Sequence, residues 1–278
     1  MSSSSTSATT LPRIHLLTRF ASNATAFKSA IKKYYPALNS KTNITVHTSS
    51  LARLPATVTY DAIVSPANSY GFMDGAFDDA ISILLSPNPR AGYGWTTRKV
   101  QSRLYETWRG YAPPGSCTVV DVRRDAEWWD LKRAENSSDD GGRAGVVEVD
   151  VERDGVGQQE DGSGHKHECK YIALCPTMRV PRRVLWDREV VFECVWALLC
   201  AIDVHNRQAR EGERIDSILM TPLATGVGRV SEERWAAQCV LAMKYWVEAV
   251  EQPDKWGQLE WNTVYDESST EIDATHDL

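Results

Sequence analysis

Two short stretches hold the residues whose types and spacing could do chemistry. The first, SPANSYGFMDGAFDDAI (65–81), follows the apolar run DAIV and sets Asn68, Gly71, Asp74 and Gly75 ahead of helical spacing. The second, ATGVGRVSEER (224–234), follows ILMTPL and carries Thr225, Gly226 and Gly228. Both read as strand, glycine loop, helix. Glycines let the backbone approach a ligand closely, and the first N–H groups of a helix, with its dipole, favour an anion. In an open α/β sheet, ligands collect outside the carboxyl ends of the strands. Two such loops side by side would grip a diphosphate from both faces. Neither is a GxGxxG or GxxxxGK[ST] sequence, which argues against a dinucleotide fold or a P-loop. The phosphates would be held by backbone amides rather than by a lysine.

Plainer readings stand beside this one. Asp74 could cap the helix that follows, and Asn68 could make an Asx turn after Pro66. Thr225 and Gly226 could form an ordinary turn, with Ser231 as the cap ahead of Glu232 and Glu233. His165, His167 and Cys169 form HxHxC, a spacing open to a metal, but inside a glycine- and acid-rich run unsuited to a rigid site; no metal and no cofactor is assigned. Nothing resembles a GxSxG nucleophile elbow. Trp128 and Trp129 read as packing in a chain with 10 tryptophans.

The elements that must position these loops follow from hydropathy. IHLLT (14–18), ITVHTS (44–49), DAIVSPAN (61–68), CTVVDV (117–122), YIALCPTM (171–178) and SILMTPL (217–223) read as strands, several of them apolar on both faces. Helical spacing covers 21–35, 74–85, 96–111, 184–206 (the longest) and 232–250. Strands alternating with helices predict an α/β protein with a mostly parallel sheet between helices. The expected domain spans 12–262. Residues 1–11 read as a disordered leader and 263–278 as an acidic disordered tail. Residues 135–168 hold seven of the 17 glycines, with ten acidic against three basic side chains. Such a segment cannot offset its chain entropy and reads as a flexible insertion, with a hairpin through GVVEVDVERDG as the competing reading.

Setting the insertion and the tail aside turns the net charge of −6 into about +6. A mildly positive body suits an anionic ligand, and no Lys/Arg cluster of a nucleic-acid track is present. The six cysteines form no CxxC pair. Without a secretory signal, reduced thiols in the cytoplasm or nucleus are expected. No apolar stretch is long enough for an ordinary membrane span, so no membrane partner is expected. Oligomeric state is not legible.

The two loops together resemble the macrodomain family. Its first loop runs roughly NAAN, a glycine run, VDG and AI, and SPAN, YG, FMDGAFDDAI keeps that frame. The family's other loop is similar to STGV, matched by ATGV. The likeness is greatest to divergent fungal macro-like domains, which share a segment like PTMRVP (176–181), and it covers roughly residues 13–250. The resemblance implies a three-layer α/β/α sandwich with a mixed, mostly parallel sheet, binding ADP-ribose or an ADP-ribosylated protein at the strand ends, as a hydrolase or as a non-catalytic reader. Asn68 then lies by the distal ribose, and Asp74 positions a water near the anomeric carbon. Ala67, Gly71, Met73, Gly75, Ala76 and Phe77 line the first phosphate loop. Ala224, Thr225, Gly226, Val227, Gly228 and Arg229 form the second. Where the family carries a GDIT-like Asp for adenine, HTSSL stands here with Ser49 near that place. The family's aromatic after TGV is missing, so Phe72 or Tyr70 would cover the distal ribose.

Overall fold

The computed structural model describes residues 11–88, 92–137 and 166–278. Most of the leader, the competing hairpin and nearly all of the insertion lie outside the described residues. Six strands form one sheet: β1 (Arg13–Thr18), β2 (Ile44–Thr48), β3 (Ala62–Ser65), β4 (Thr118–Asp121), β5 (Tyr171–Leu174) and β6 (Ser217–Met220). Their order is β2-β1-β6-β3-β5-β4. Every pairing is parallel except that of β4 with β5. This is the mixed, mostly parallel α/β sandwich that the pattern predicts.

The two-residue period of the strands decides what packs on each face. Ile14, Leu16, Ala62, Val64, Tyr171, Ala173, Ile218 and Met220 point one way. They pack under α1 (Ala21–Tyr34), α6 (Val190–Gln208) and α7 (Glu232–Glu251), which contribute Phe27, Val195 and Trp235. Leu17, Ile63, Ile172, Leu174 and Leu219 point the other way. They meet α3 (Ala76–Leu85), α4 (Gly94–Trp108) and α5 (Ala126–Ser137), which supply Ile81, Trp95 and Trp128. Burying each large apolar side chain contributes about 1.5–3 kcal/mol, so the central strands read as unbroken apolar runs. A short α2 (Leu38–Lys41) links α1 to β2.

Three elements differ from expectation. The pattern does not predict α5. The carboxylate of Asp125 accepts the Trp128 N–H at 2.9 Å and starts the helix, and the Trp128 indole donates to the Leu85 carbonyl at 3.0 Å. α6 begins at Val190 rather than at 184, because Asp187 accepts the Glu189 N–H at 2.9 Å and competes with the first turn. The longest helix is therefore α7, with 20 residues against 19.

The expected disordered tail is a correction as well. After α8 (Pro253–Trp256) come α9 (Trp261–Thr263), a π-helical stretch (Val264–Ser269) and α10 (Thr270–Asp273). Ile272 packs on Leu241 and Tyr245 of α7. The Arg234 guanidinium donates to the carbonyls of Thr275, His276 and Leu278 at 3.3, 2.5 and 3.3 Å. The acidic composition hides these contacts because their partners lie far back in the chain. Among the described residues no helix is long and apolar enough to cross a membrane.

Candidate functional site

The loops after β3 and β6 face one cleft of about 880 Å³ at the carboxyl ends of the strands. β3 continues past Ser65 as an irregular partner of the chain after β5. Ala67 N–H donates to the Cys175 carbonyl at 3.0 Å, Thr177 N–H to the Ala67 carbonyl at 3.0 Å, and Asn68 bridges Met178. The Asx turn at Asn68 is present. Its Oδ1 accepts the N–H groups of Tyr70 (3.1 Å) and Phe72 (3.4 Å), while its Nδ2 donates to the Phe72 carbonyl at 2.8 Å. Asn68 thus shapes the loop it stands in.

Three residues assigned to the ligand loop do not line the cleft. Gly71, with φ +69°, is buried against α4, where a Cβ would lie 2.6 Å from Val100 Cγ1. Met73 is fully buried in the core, its N–H bonded to Thr97 Oγ1 at 3.2 Å and its carbonyl to Ser82 Oγ at 2.5 Å. Tyr70 turns outward and meets Tyr111 edge to face at 5.6 Å. Of the two aromatics expected to cover the distal ribose, it is Phe72, half exposed, that borders the cleft.

Asp74, Gly75, Ala76 and Phe77 line the cleft together with Ala67 and Asn68. Asp74 is exposed and does not cap α3, whose N-cap is Gly75 with no side-chain cap bond. Ala76 takes φ +51°, a left-handed conformation that costs an L residue about 1–3 kcal/mol. Among the described residues, no protein group accepts the N–H of Gly75, Ala76 or Phe77.

The opposite wall carries Ala224, Thr225, Gly226, Val227, Gly228 and Arg229. Ala224 (φ +59°) and Arg229 (φ +60°) are also left-handed. Val230 N–H closes the loop onto the Ala224 carbonyl at 3.1 Å, and Val184 N–H holds the Gly228 carbonyl at 2.9 Å. Gly228 is required, since a Cβ there would run into the Ala224 carbonyl. Ser231 caps α7 by accepting the Arg234 N–H at 3.1 Å. The N–H groups of Thr225 through Gly228 again find no acceptor among the described residues. Two glycine loops with unspent donors therefore border one cleft.

Sequence reasoning missed several lining residues. Asp78 is almost wholly buried and accepts from Ser65 Oγ at 2.7 Å. Burial pushes its carboxyl up to about 7, opposed by the Ser65 hydrogen bond and aided by the Asp74 charge. Its helical spacing reads as an ordinary amphipathic position. Thr177 is fully buried, lines the cleft, and its hydroxyl finds no partner among the described residues. Arg19 and Phe20 arrive from the end of β1 and join Ser49, already singled out in the sequence, after β2, a convergence that only the strand order reveals. Of the HxHxC residues, His165 lies outside the described residues. His167 is buried, bonded to the Val58 carbonyl at 2.8 Å and stacked on Tyr60. Cys169 is buried, its thiol pushed up to about 12 by desolvation.

The fold and the cleft together define an α/β sandwich protein with an amide-lined cleft large enough for a whole cofactor-sized molecule. No protein-family model matches the chain, and no curated protein matches it.

Proposed function

We propose that this chain is a macrodomain-like protein that binds ADP-ribose or a derivative and hydrolyses a linkage at its terminal ribose. The observation that carries the reading is the pair of glycine loops bordering one cleft, each with unspent backbone N–H groups. Such donors suit a diphosphate without a lysine. Arg19 and Arg229 add positive charge at the rim. Phe72 supports the part of an aromatic cover for the distal ribose. Asn68 holds the loop and keeps a second amide N–H for a ribose hydroxyl.

In this reading the loops fix the substrate, and positioning of that kind removes much of a reaction barrier. Asp74, the exposed carboxylate of the first loop, orients or deprotonates a water at the anomeric carbon, directly or through the substrate's diphosphate. A departing carboxylate from an ester-linked sugar needs little acid help, so one carboxylate can suffice. Calorimetric titration with ADP-ribose tests the binding, and no heat at millimolar ligand would overturn it. Asp74→Asn tests the chemistry: hydrolysis should be lost with binding retained. Binding without turnover by the unaltered protein on mono-ADP-ribosyl protein, acetylated ADP-ribose or ADP-ribose 1″-phosphate would leave a reader module instead.

A further inference from the structure

A second cavity, of about 610 Å³, shares no lining residue with the cleft. It lies over α6 and α7 beneath the C-terminal helices, and five aromatic side chains stand in its walls. Trp196 stacks on Trp256 with ring centres 5.5 Å apart, Phe192 stacks on Trp196 at 6.2 Å, and Tyr245 stands 6.2 Å from Trp256. The polar groups along this wall are mostly committed. Lys255 pairs with Glu248 at 2.6 Å, and the Tyr245 hydroxyl donates to Glu271 at 2.6 Å.

Glu193 is hydrogen-bonded to another carboxylate, that of Asp187, rather than to a cation. It stands exposed at the rim, its carboxylate lying against Gly115, where a Cβ would strike it. Burial against the wall raises its pKa, and the neighbouring Asp187 and Glu189 carboxylates raise it further. His276 pairs with Glu189 at 2.9 Å, but among the described residues no Lys, Arg or His pairs with Glu193 or Asp187. The uncompensated charge at the cavity is therefore negative.

We propose that this cavity binds a small organic cation, an amine or quaternary ammonium on an apolar body, with the body among Phe192, Trp196 and Trp256 and the charge at Glu193. The volume encloses a complete small molecule. Aromatic faces attract cations through their quadrupole, and the attraction grows when the cation is desolvated. The rim carboxylate fixes the sign of the ligand and repels the anions that suit the other cleft.

The test uses the full chain with 2-phenylethylammonium and its neutral isostere 2-phenylethanol, read by calorimetry and tryptophan fluorescence. The ammonium should bind saturably at millimolar concentration or below, at least about fivefold more tightly than the alcohol. Glu193→Gln, at an exposed position, should cut the preference for the ammonium and leave only what the aromatic faces supply. Ala197→Trp, which fills the cavity, should remove binding of both. Equal affinity of ammonium and alcohol for the unaltered protein, or no binding of either, would overturn the proposal, and that comparison needs no variant to fold. A preference undiminished by Glu193→Gln, or binding that survives Ala197→Trp, would overturn it too.

Discussion

On the cleft wall, Asp78 keeps a carboxyl almost out of water beside the exposed Asp74. Its folded pKa of about 7 stands above the ordinary aspartate value of 3.8, which the unfolded chain retains. Below the unfolded value both states hold the proton and the group costs nothing. As pH rises, the unfolded chain releases its proton first, and the stability the protonated group supplies is lost until the folded carboxyl has ionised. The chain should therefore lose up to a few kcal/mol between about pH 4 and about pH 8 from this residue alone. Asp78→Asn keeps an acceptor for Ser65 and removes the titration. Denaturant midpoints of the two proteins should converge near pH 4 and separate above pH 7 in favour of the variant. Gly71 shows why part of the site is not legible in the sequence. A glycine needed for φ +69° and for room beside Val100 looks the same, in sequence, as one that faces a ligand. Gly71→Ala should cost about 1–3 kcal/mol on both grounds, measured by chemical denaturation.

At the scale of elements, the strands are legible because burial on both faces writes them as continuous apolar runs, as in Ala62–Ser65 and Ser217–Met220. The segments around α7 show what such runs leave out. The helix itself carries a strong apolar pattern and a Ser231 cap, both visible in the sequence. The loop before it depends on a through-space fit between Gly228 and the Ala224 carbonyl, which no spacing rule announces. On the proposed function, Gly228→Ala should spread that loop and weaken ADP-ribose binding about tenfold or more, the loss expected when a charge-assisted hydrogen bond goes. Ser231→Ala separates helix from loop: it should cost about 1 kcal/mol of stability through the lost cap. Thermal melts beside ADP-ribose titrations of both variants distinguish the two effects. Equal affinity for Gly228→Ala and the unaltered protein would remove the second loop from the binding site.

Across the whole molecule, the C-terminal helices are held by side chains whose partners are far away in the chain. Arg234, in the first turn of α7, reaches three carbonyls between Thr275 and Leu278, and Gln238, one turn further on, donates to Thr275 Oγ1 at 2.9 Å. Local composition there is acidic and weakly apolar, so sequence reading favours disorder, whereas the fold supplies a docking surface that composition cannot show. The order of the tail therefore depends largely on α7. Arg234→Ala removes the guanidinium's three hydrogen bonds at once and should cost about 1–3 kcal/mol. Its effect should be local, because the contacts it breaks lie between α7 and residues 275–278 and none reaches the sheet. Hydrogen exchange should quicken across 261–278 while the amides of β3, β5 and β6 keep their protection, since these strands bury both faces away from the tail. Unchanged exchange in 261–278 would mean that the other contacts, those of Ile272, Glu271, His276 and Gln238 among them, hold the tail without the guanidinium. Faster exchange in the central strands would make the tail part of one cooperative unit with the sheet.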